Sequence, residues 1–153
     1  MSVVISEFTG EHRFLSNFAS SPIRWANKEF PTGEHLYQAR KTGRPEWTER
    51  VRLATTPGEA KRLGRKVPLL TNWEEIKFKV MAEVIEAKFM QNPDLSRRLV
   101  DTGTAFLIEG NTWHDQTWGD CGCERHSTTT GMNALGIILM HQRLEETVRH
   151  AQS

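Results

Sequence analysis

The chain has 153 residues, of which 37% are hydrophobic and 25% charged, and its formal net charge is +1. It is long enough to bury a substantial core, so we expect a single domain over residues 1–153. A charge so close to neutral argues against sequence-independent binding to duplex nucleic acid. No apolar run approaches the roughly 18 residues of a membrane span, and the start lacks a secretory signal, which predicts a cytoplasmic protein. The oligomeric state stays open.

The N-terminal third contains the β-branched and aromatic residues that are typical of strands. Residues 3–8 form one candidate strand, and residues 23–30 form a second, which Ala26-Asn27 can turn into a hairpin. We therefore expect the main sheet of the protein, a small antiparallel one, in this third of the chain.

Three helix starts follow in close succession. Thr32 can cap the first helix, which Gly43 would end. Pro45 suits the first turn of the second helix. Thr56 and Glu59 have the spacing of a capping box ahead of the third. The sequence thus predicts three short helices in a row.

The most regular pattern lies in residues 73–91, where apolar residues recur every three or four positions and predict a long helix. Asn92-Pro93 should end this helix and begin a shorter one that Gly103 closes. Residues 105–110 have the pattern of a strand. Residues 131–144 are apolar nearly all round, which predicts a C-terminal helix buried in the centre. The fold class is α+β and helix-rich.

The segment from residue 117 to residue 126 concentrates polar and sulfur-containing side chains. Cys121, Cys123 and His126, with His114 upstream, offer the donors that zinc accepts. Zinc sites usually separate paired cysteines by two to four residues, so the spacing argues against a metal centre. A disulfide between cysteines one residue apart would be strained. The simpler interpretation of the segment is a polar loop with buried or half-buried thiols.

Glu34 stands in the first turn of the first predicted helix, where the helix dipole favours a carboxylate. That placement alone accounts for a glutamate. Because the same helix has few large apolar residues, we expect it to border a wet pocket. Lys61 and Arg65 share one face of the third helix, where they could hold an anion. A solvated charged surface is the simpler explanation of these two cations.

An ordered set of segments runs through the chain from about residue 8 to residue 145. It comprises residues 14–18 (FLSNF), 34–41 (EHLYQARK), 59–65 (EAKRLGR), Trp73, residues 115–119 (DQTWG), residues 131–136 (GMNALG), Leu139-Met140 and Arg143. This set resembles the NADAR, or YbiA-like, family. The resemblance covers nearly the whole chain, and it rests on the order of the motifs rather than on any one of them.

The resemblance implies an α+β domain that cleaves an N-glycosidic bond. Family members act on phosphorylated ribosylamino-pyrimidine intermediates of riboflavin biosynthesis, or remove ADP-ribose from guanine in DNA or RNA. It therefore implies an N-glycosyl hydrolase with one of these two substrates as its partner. This chemistry needs no metal and no organic cofactor.

The family's functional positions fall on three residues of this chain, Glu34, Trp73 and Asp115. Because the cysteine segment lies between two motifs of the family's pocket, the resemblance also implies that it forms the rim of a pocket beside Asp115. We expect the two carboxylates to act at the anomeric carbon of the sugar, one activating water and the other orienting the sugar or protonating the leaving nitrogen. An indole would stack on the base or sugar, and cations would hold the phosphate. The residues expected to bind substrate are Asn17, Phe18, Lys41, Lys61, Arg65, Trp118, Gly119 and Asn133.

Two other functions remain open at the level of sequence. The first is a non-catalytic sensor that binds ADP-ribose or a related nucleotide without turnover. The second is an interaction module stabilised by zinc at the cysteine segment. Product formation separates the enzyme from the sensor, and metal analysis tests the module.

Overall fold

The structure is a computed structural model and describes residues 3–153. Its strands are β1 (Val4–Ile5), β2 (Ser20–Trp25), β3 (Lys28–Thr32), β4 (Phe106–Leu107), β5 (Gly110–Asn111) and β6 (Asp120–Cys121). Its helices are α1 (Gly33–Ala39), α2 (Pro45–Arg52), α3 (Pro57–Gly64), α4 (Trp73–Gln91), α5 (Pro93–Asp101) and α6 (Ala134–Ala151). Short 3₁₀ turns cover Gly10–Leu15 and Glu124–His126.

The chain divides into two compact units. The mid-chain unit is Asn17–Asn92, and the terminal unit combines the described residues up to Ser16 with Pro93–Ser153. The expected single domain over the whole chain stays a prediction. Within residues 3–153, every helix is too short or too polar to cross a membrane.

The hairpin predicted in the N-terminal third is confirmed in the mid-chain unit. Strands β2 and β3 pair antiparallel, with Trp25 opposite Lys28. Ala26 and Asn27 between them both have positive φ, 51° and 63°. This is the conformation of a two-residue turn whose twist matches that of the flanking strands. The turn residues therefore fix the register of the hairpin.

The three predicted short helices are present, and side-chain hydrogen bonds cap the N-termini of two of them. The Thr32 hydroxyl accepts the His35 amide at the start of α1, and the Thr56 hydroxyl accepts the Glu59 amide at the start of α3. The capping box at α3 is only half formed because the Glu59 carboxylate accepts from Arg62 instead. Helix α1 ends at Ala39, earlier than expected from Gly43.

Helix α4 begins at Trp73 and ends at Gln91, as the apolar periodicity predicted. It packs against α1 and β2 within the mid-chain unit. The buried face includes Trp73, Val80 and Val84, as expected, whereas Ile76 is half-buried. The long helix therefore forms the apolar support on which the short helix α1 rests.

The first predicted strand has a different partner from the one expected. Only Val4–Ile5 forms a strand, and it pairs in parallel with β4, Val4 opposite Phe106 and Ile5 opposite Leu107. The antiparallel pair β2–β3 is the small N-terminal sheet that we expected, but residues 3–8 do not join it, since the described strands form three separate pairs. Local sequence cannot specify a parallel partner about a hundred residues away.

Helix α6 confirms the predicted C-terminal helix, but it is buried on one side only. Leu135 and Leu139 are buried, whereas Ile137 and Leu144 are exposed. The buried face continues through polar side chains, including Glu146, which accepts a hydrogen bond from Ser96 of α5. Because polar residues occupy the inner positions, the helix presents some of its apolar residues to solvent.

Candidate functional site

The carboxylate of Glu34 is held in place near the start of α1. The side chain is 7% exposed, and all seven residues of α1 are buried, so this helix is more enclosed than the wet pocket border we expected. The Gln38 amide nitrogen donates to Glu34 Oε1 at 2.7 Å. The backbone N–H of Glu34 donates to the Asn17 carbonyl at 3.0 Å. These contacts restrict Glu34 to one orientation, as a reacting carboxylate requires.

Gln38 owes its position to a glycine on the neighbouring helix α3. A Cβ atom built on Gly64 would lie 1.9 Å from Gln38 Oε1, too close for any side chain. The Gln38 and Asn17 side-chain oxygens are both buried and find no hydrogen-bond partner among residues 3–153. Buried amide oxygens of this kind are usually satisfied by water or a ligand. Two such acceptors therefore lie beside Glu34.

Lys41, one of the cations expected to hold a phosphate, interacts electrostatically with Glu34. Burial lowers the pKa of Lys41, and the charge of Glu34 counteracts this effect. The positive charges of Lys61 and Arg65 lower the pKa of Lys41 further, whereas Glu74 raises it. Lys41 thus interacts electrostatically both with the Glu34 carboxylate and with the two other predicted phosphate ligands.

Aromatic rings accompany these cations. The Trp73 ring is buried and packs on Tyr37 with centroids 5.4 Å apart and an angle of 57° between the planes. Lys41 Nζ lies 5.6 Å from the centre of the Tyr37 ring, and Lys61 Nζ lies 6.0 Å from that of Phe18. These are cation–π distances. Packing on Tyr37 accounts for the position of Trp73, and its role in stacking on substrate stays a prediction.

Sequence reasoning did not assign roles to Gln38 and Tyr37. The signal for Gln38 was present, since Glu34 and Gln38 are four residues apart and a glutamine at that spacing can reach a carboxylate on the same helix face. Tyr37 has the same spacing from Lys41, whereas its contact with Trp73 connects α1 to the distant helix α4 and carried no local signal. Both residues belong to the Glu34 neighbourhood.

Asp115, in the terminal unit, shapes the loop that follows β5. Its Oδ1 accepts the backbone amides of Thr117 at 3.1 Å and Trp118 at 2.9 Å. Its own backbone is clamped by Asn111, which accepts the Asp115 N–H and donates to the Asp115 carbonyl. The carboxylate is half-buried. One oxygen of the carboxylate therefore stabilises the loop. The catalytic role of Asp115 stays a prediction.

Asn133 and Gly119, two further residues predicted to bind substrate, stabilise the structure of the terminal unit. Asn133 donates to the Leu107 carbonyl at 2.9 Å and accepts the Glu109 amide at 3.0 Å, so its side chain joins β4 to the start of α6. A Cβ on Gly119 would lie 2.0 Å from the Glu109 carbonyl oxygen. These contacts explain both residue types, and binding of substrate by Asn133, Gly119 or Trp118 stays a prediction.

The terminal unit also contains an open groove bordered by its first residues and α5. Phe14, Glu11, Arg98 and Asp101 are among the lining residues, and the Arg98 guanidinium lies 4.2 Å from the centre of the Phe14 ring. The residues predicted to carry the chemistry do not border this groove. Its composition offers no catalytic arrangement comparable to that around Glu34.

The cysteine segment brings potential metal ligands together. His114, Cys121, Cys123 and His126 each place one ligand atom within 4.8 Å of the others. Cys121 and Cys123 are free thiols. Unlike the Glu34 neighbourhood, these side chains are the donors that zinc prefers.

Known proteins are similar to this chain over most of its length. The NADAR domain model matches residues 4–145. N-glycosidase YbiA of Escherichia coli K12 is 40% identical over 131 residues, which cover 84% of this chain and 78% of the relative. N-glycosidase Npun_R5314 of Nostoc punctiforme is 35% identical over 136 residues, covering 86% and 83%. A riboflavin biosynthesis protein of Vibrio vulnificus is 37% identical over 142 residues, which cover 92% of this chain and 37% of that protein.

The fold is similar as well. The NMR structure of Escherichia coli YbiA matches with a TM-score of 0.84 and 35% sequence identity, covering 100% of this chain and 90% of that one. The predicted helix-rich α+β class is thereby confirmed.

Proposed function

The chain belongs to the NADAR domain family, and from this premise we propose that it is an N-glycosidase that releases the base from a small phosphorylated ribosyl substrate. The observation that carries the proposal is the Glu34 carboxylate, which is fixed by Gln38 and interacts electrostatically with Lys41. A fixed carboxylate suits chemistry at a sugar carbon that becomes positively charged. The nearby cations suit a phosphate.

Hydrolysis breaks the bond between the anomeric carbon and the base nitrogen, and the oxygen of water bonds to that carbon. The base leaves with the bonding electrons and gains a proton. Glu34 would stabilise the positive charge on the sugar and take a proton from the attacking water. Gln38 keeps the carboxylate aimed by donating to Oε1. Glu34 is thus the general base of the proposed reaction.

The cations give the substrate its orientation. Lys41, Lys61 and Arg65 would hold the phosphate through charge-assisted hydrogen bonds. The unpartnered side-chain oxygens of Asn17 and Gln38 are acceptors for hydroxyl or amino groups of the substrate. Binding at these points fixes the sugar relative to Glu34, which converts binding energy into rate.

A phosphorylated ribosylamino-pyrimidine is the substrate we favour over ADP-ribosylated guanine. Proteins of Vibrio vulnificus and Arabidopsis thaliana that are similar to this chain bear the name of riboflavin biosynthesis proteins. A formal net charge of +1 gives little general attraction for nucleic acid. These two observations together support the proposed substrate class.

Incubation with each substrate class tests the proposal. We expect mass spectrometry to detect free base and ribose phosphate from the ribosylamino-pyrimidine, with no release of ADP-ribose from a modified oligonucleotide. Release from the oligonucleotide alone would overturn the proposed substrate and keep the reaction class. Tight binding of ADP-ribose with no product from either substrate would instead establish a sensor.

A pair of variants at Asp115 separates the effect of its negative charge on catalysis from its effect on the structure of the loop after β5. Asp115→Asn keeps an oxygen that can accept the Thr117 and Trp118 amides, whereas Asp115→Ala removes it. If the carboxylate acts on substrate, both variants lose about 10²-fold or more in kcat, because a general acid or base contributes roughly 10²–10⁴-fold. Steady-state kinetics with thermal unfolding as a control makes the comparison. Full activity in Asp115→Asn would leave the residue with a structural role only.

The lowered pKa of Lys41 predicts a pH dependence of substrate binding. Lys41 is cationic below its pKa, so phosphate binding weakens and KM rises as the pH increases through a value below that of ordinary lysine. The groups that act on it are Glu34, Lys61, Arg65 and Glu74. Lys41→Arg should flatten this rise, since a guanidinium stays charged. We compare KM of the wild type and of Lys41→Arg between pH ~7.5 and ~10, where the phosphate, with its second pKa near 6, keeps its charge. Identical pH profiles of the two proteins would refute phosphate binding by Lys41.

A further inference from the structure

The cysteine segment of the terminal unit forms a compact cluster of side chains. His114 Nδ1 lies 3.3 Å from Cys123 Sγ and 4.0 Å from Cys121 Sγ. His126 Nδ1 lies 3.2 Å from Cys123 Sγ. One potential ligand atom of each of the four residues lies within 4.8 Å of the others. Two thiols and two imidazoles therefore converge on one point.

The separations match those of a tetrahedral zinc site. With Zn–S bonds of about 2.3 Å and Zn–N bonds of about 2.0–2.1 Å, tetrahedral angles place a sulfur and a nitrogen ligand about 3.6 Å apart. The observed sulfur–nitrogen distances of 3.2, 3.3 and 4.0 Å lie on both sides of this value. The remaining pairs of ligand atoms lie within 4.8 Å of one another, so shifts of about 1 Å would complete the coordination sphere.

The backbone around the cluster is already organised. Cys121 is buried at the end of β6, which pairs in parallel with β5, and its amide donates to the Gln116 side chain at 2.7 Å. The Cys123 amide lies 3.5 Å from Cys121 Sγ, the arrangement of an N–H···S hydrogen bond. His114 has a φ of 72°, in the left-handed region, which is uncommon for a non-glycine residue. The loop thus holds its side chains in a specific arrangement.

We propose that His114, Cys121, Cys123 and His126 bind one Zn²⁺ ion in a tetrahedral Cys₂His₂ site. Binding deprotonates both thiols and releases two protons, and the two thiolates neutralise the charge of the ion. Neutral imidazoles supply the other two ligands. A closed set of four protein ligands marks a structural site rather than a catalytic one.

The zinc inference revises the interpretation of this segment as a pocket rim. The one-residue gap between the cysteines is short for a zinc site, but the pairing of β6 with β5 and the turn at Glu124–His126 bring all four residues together. Zinc would fix the loop that contains Asp115, the residue that follows the ligand His114. The site does not depend on the proposed glycosidase activity.

Metal analysis of the full chain purified without chelators tests the proposal. We expect about one equivalent of zinc per chain, the ratio of a single closed site, in the wild type. His141→Ala is the matched control, because His141 is an exposed histidine of α6 outside the cluster. It should retain the metal, whereas Cys123→Ser and His126→Ala should lose most of it. Wild-type protein without zinc, or variants that retain it fully, would overturn the proposal.

A second measurement avoids the risk that the variants misfold. Titrating metal-free wild-type protein with Co²⁺ should give thiolate-to-metal charge-transfer absorption and the intense visible bands of tetrahedral cobalt, saturating near one equivalent. Removing zinc with a chelator should lower the unfolding temperature, and adding zinc should restore it. Octahedral cobalt spectra without a thiolate band, or a disulfide between Cys121 and Cys123 in the purified protein, would contradict the site. These readouts do not involve catalysis, so they can fail while the glycosidase proposal stands.

Discussion

Glu34→Gln is expected to lower kcat/KM on the phosphorylated substrate by about 10²–10⁴-fold, the usual contribution of a general acid or base. The substitution keeps the size of the side chain and an oxygen that can accept from Gln38. It removes the negative charge that would stabilise the sugar cation and accept a proton from water. Steady-state kinetics with quantification of the released base measures the effect.

Glu46→Gln is the matched control for this variant. Glu46 is an exposed carboxylate in the first turn of α2, so the same chemical change there should leave kcat/KM within about threefold, as surface substitutions usually cost less than 0.5 kcal/mol. Circular dichroism and thermal unfolding establish that both variants are folded. Comparable activity of Glu34→Gln and Glu46→Gln would remove Glu34 from the mechanism.

Gly136→Ala is expected to have the largest effect on stability, a loss of about 1–3 kcal/mol or more from overpacking. A Cβ atom at this position would lie 2.1 Å from the Leu107 carbonyl oxygen and 2.4 Å from the Asn133 amide nitrogen. Backbone cannot yield as a flexible side chain does, so α6 would have to move away from β4. Urea unfolding measures the change in the free energy of unfolding.

Gly58→Ala provides the comparison for this glycine. Its nearest contact would be the Thr56 hydroxyl at 3.8 Å, an ordinary van der Waals distance, in the first turn of α3. Alanine favours helix over glycine by about 1 kcal/mol in helix interiors, so this variant should be neutral or more stable than the wild type. An unfolding free energy of Gly136→Ala equal to that of Gly58→Ala would refute the close packing of α6 on β4.

The parts of the fold that could be predicted are those that local interactions decide. Ala26-Asn27 specifies a tight turn, Thr32 and Thr56 supply hydroxyls at helix starts, and the periodicity of residues 73–91 gives both ends of α4. Each of these signals involves neighbours within a few positions. They needed no knowledge of the rest of the chain.

The features that could not be predicted depend on distant partners. The strand Val4–Ile5 pairs with residues about a hundred positions away, and its own sequence is equally compatible with a local sheet. In α6, Glu146 occupies a buried position because Ser96 of another helix donates to it. The apolar residues of this segment predicted a helix buried in the centre, whereas α6 is buried on one side only.

The candidate site also has features that the sequence predicted and features that depend on distant residues. Resemblance to the NADAR family selected Glu34, Lys41 and Lys61, and in the structure Lys41 interacts electrostatically with each of the other two. The hydrogen bond from Gln38 to Glu34 could have been predicted from their spacing of four residues, whereas the space that Gly64 leaves for Gln38 on another helix could not. The cysteine cluster was judged by linear spacing, whereas metal binding depends on where the ligand atoms meet.

A structure of the Glu34→Gln protein with uncleaved substrate is the most direct measurement of where the reaction takes place. We predict that the anomeric carbon lies against the side chain of residue 34. We also predict that the phosphate lies within hydrogen-bond distance, about 2.7–3.2 Å, of one or more of the cations Lys41, Lys61 and Arg65. A substrate bound elsewhere, for example in the groove beside Arg98, would contradict the proposed site.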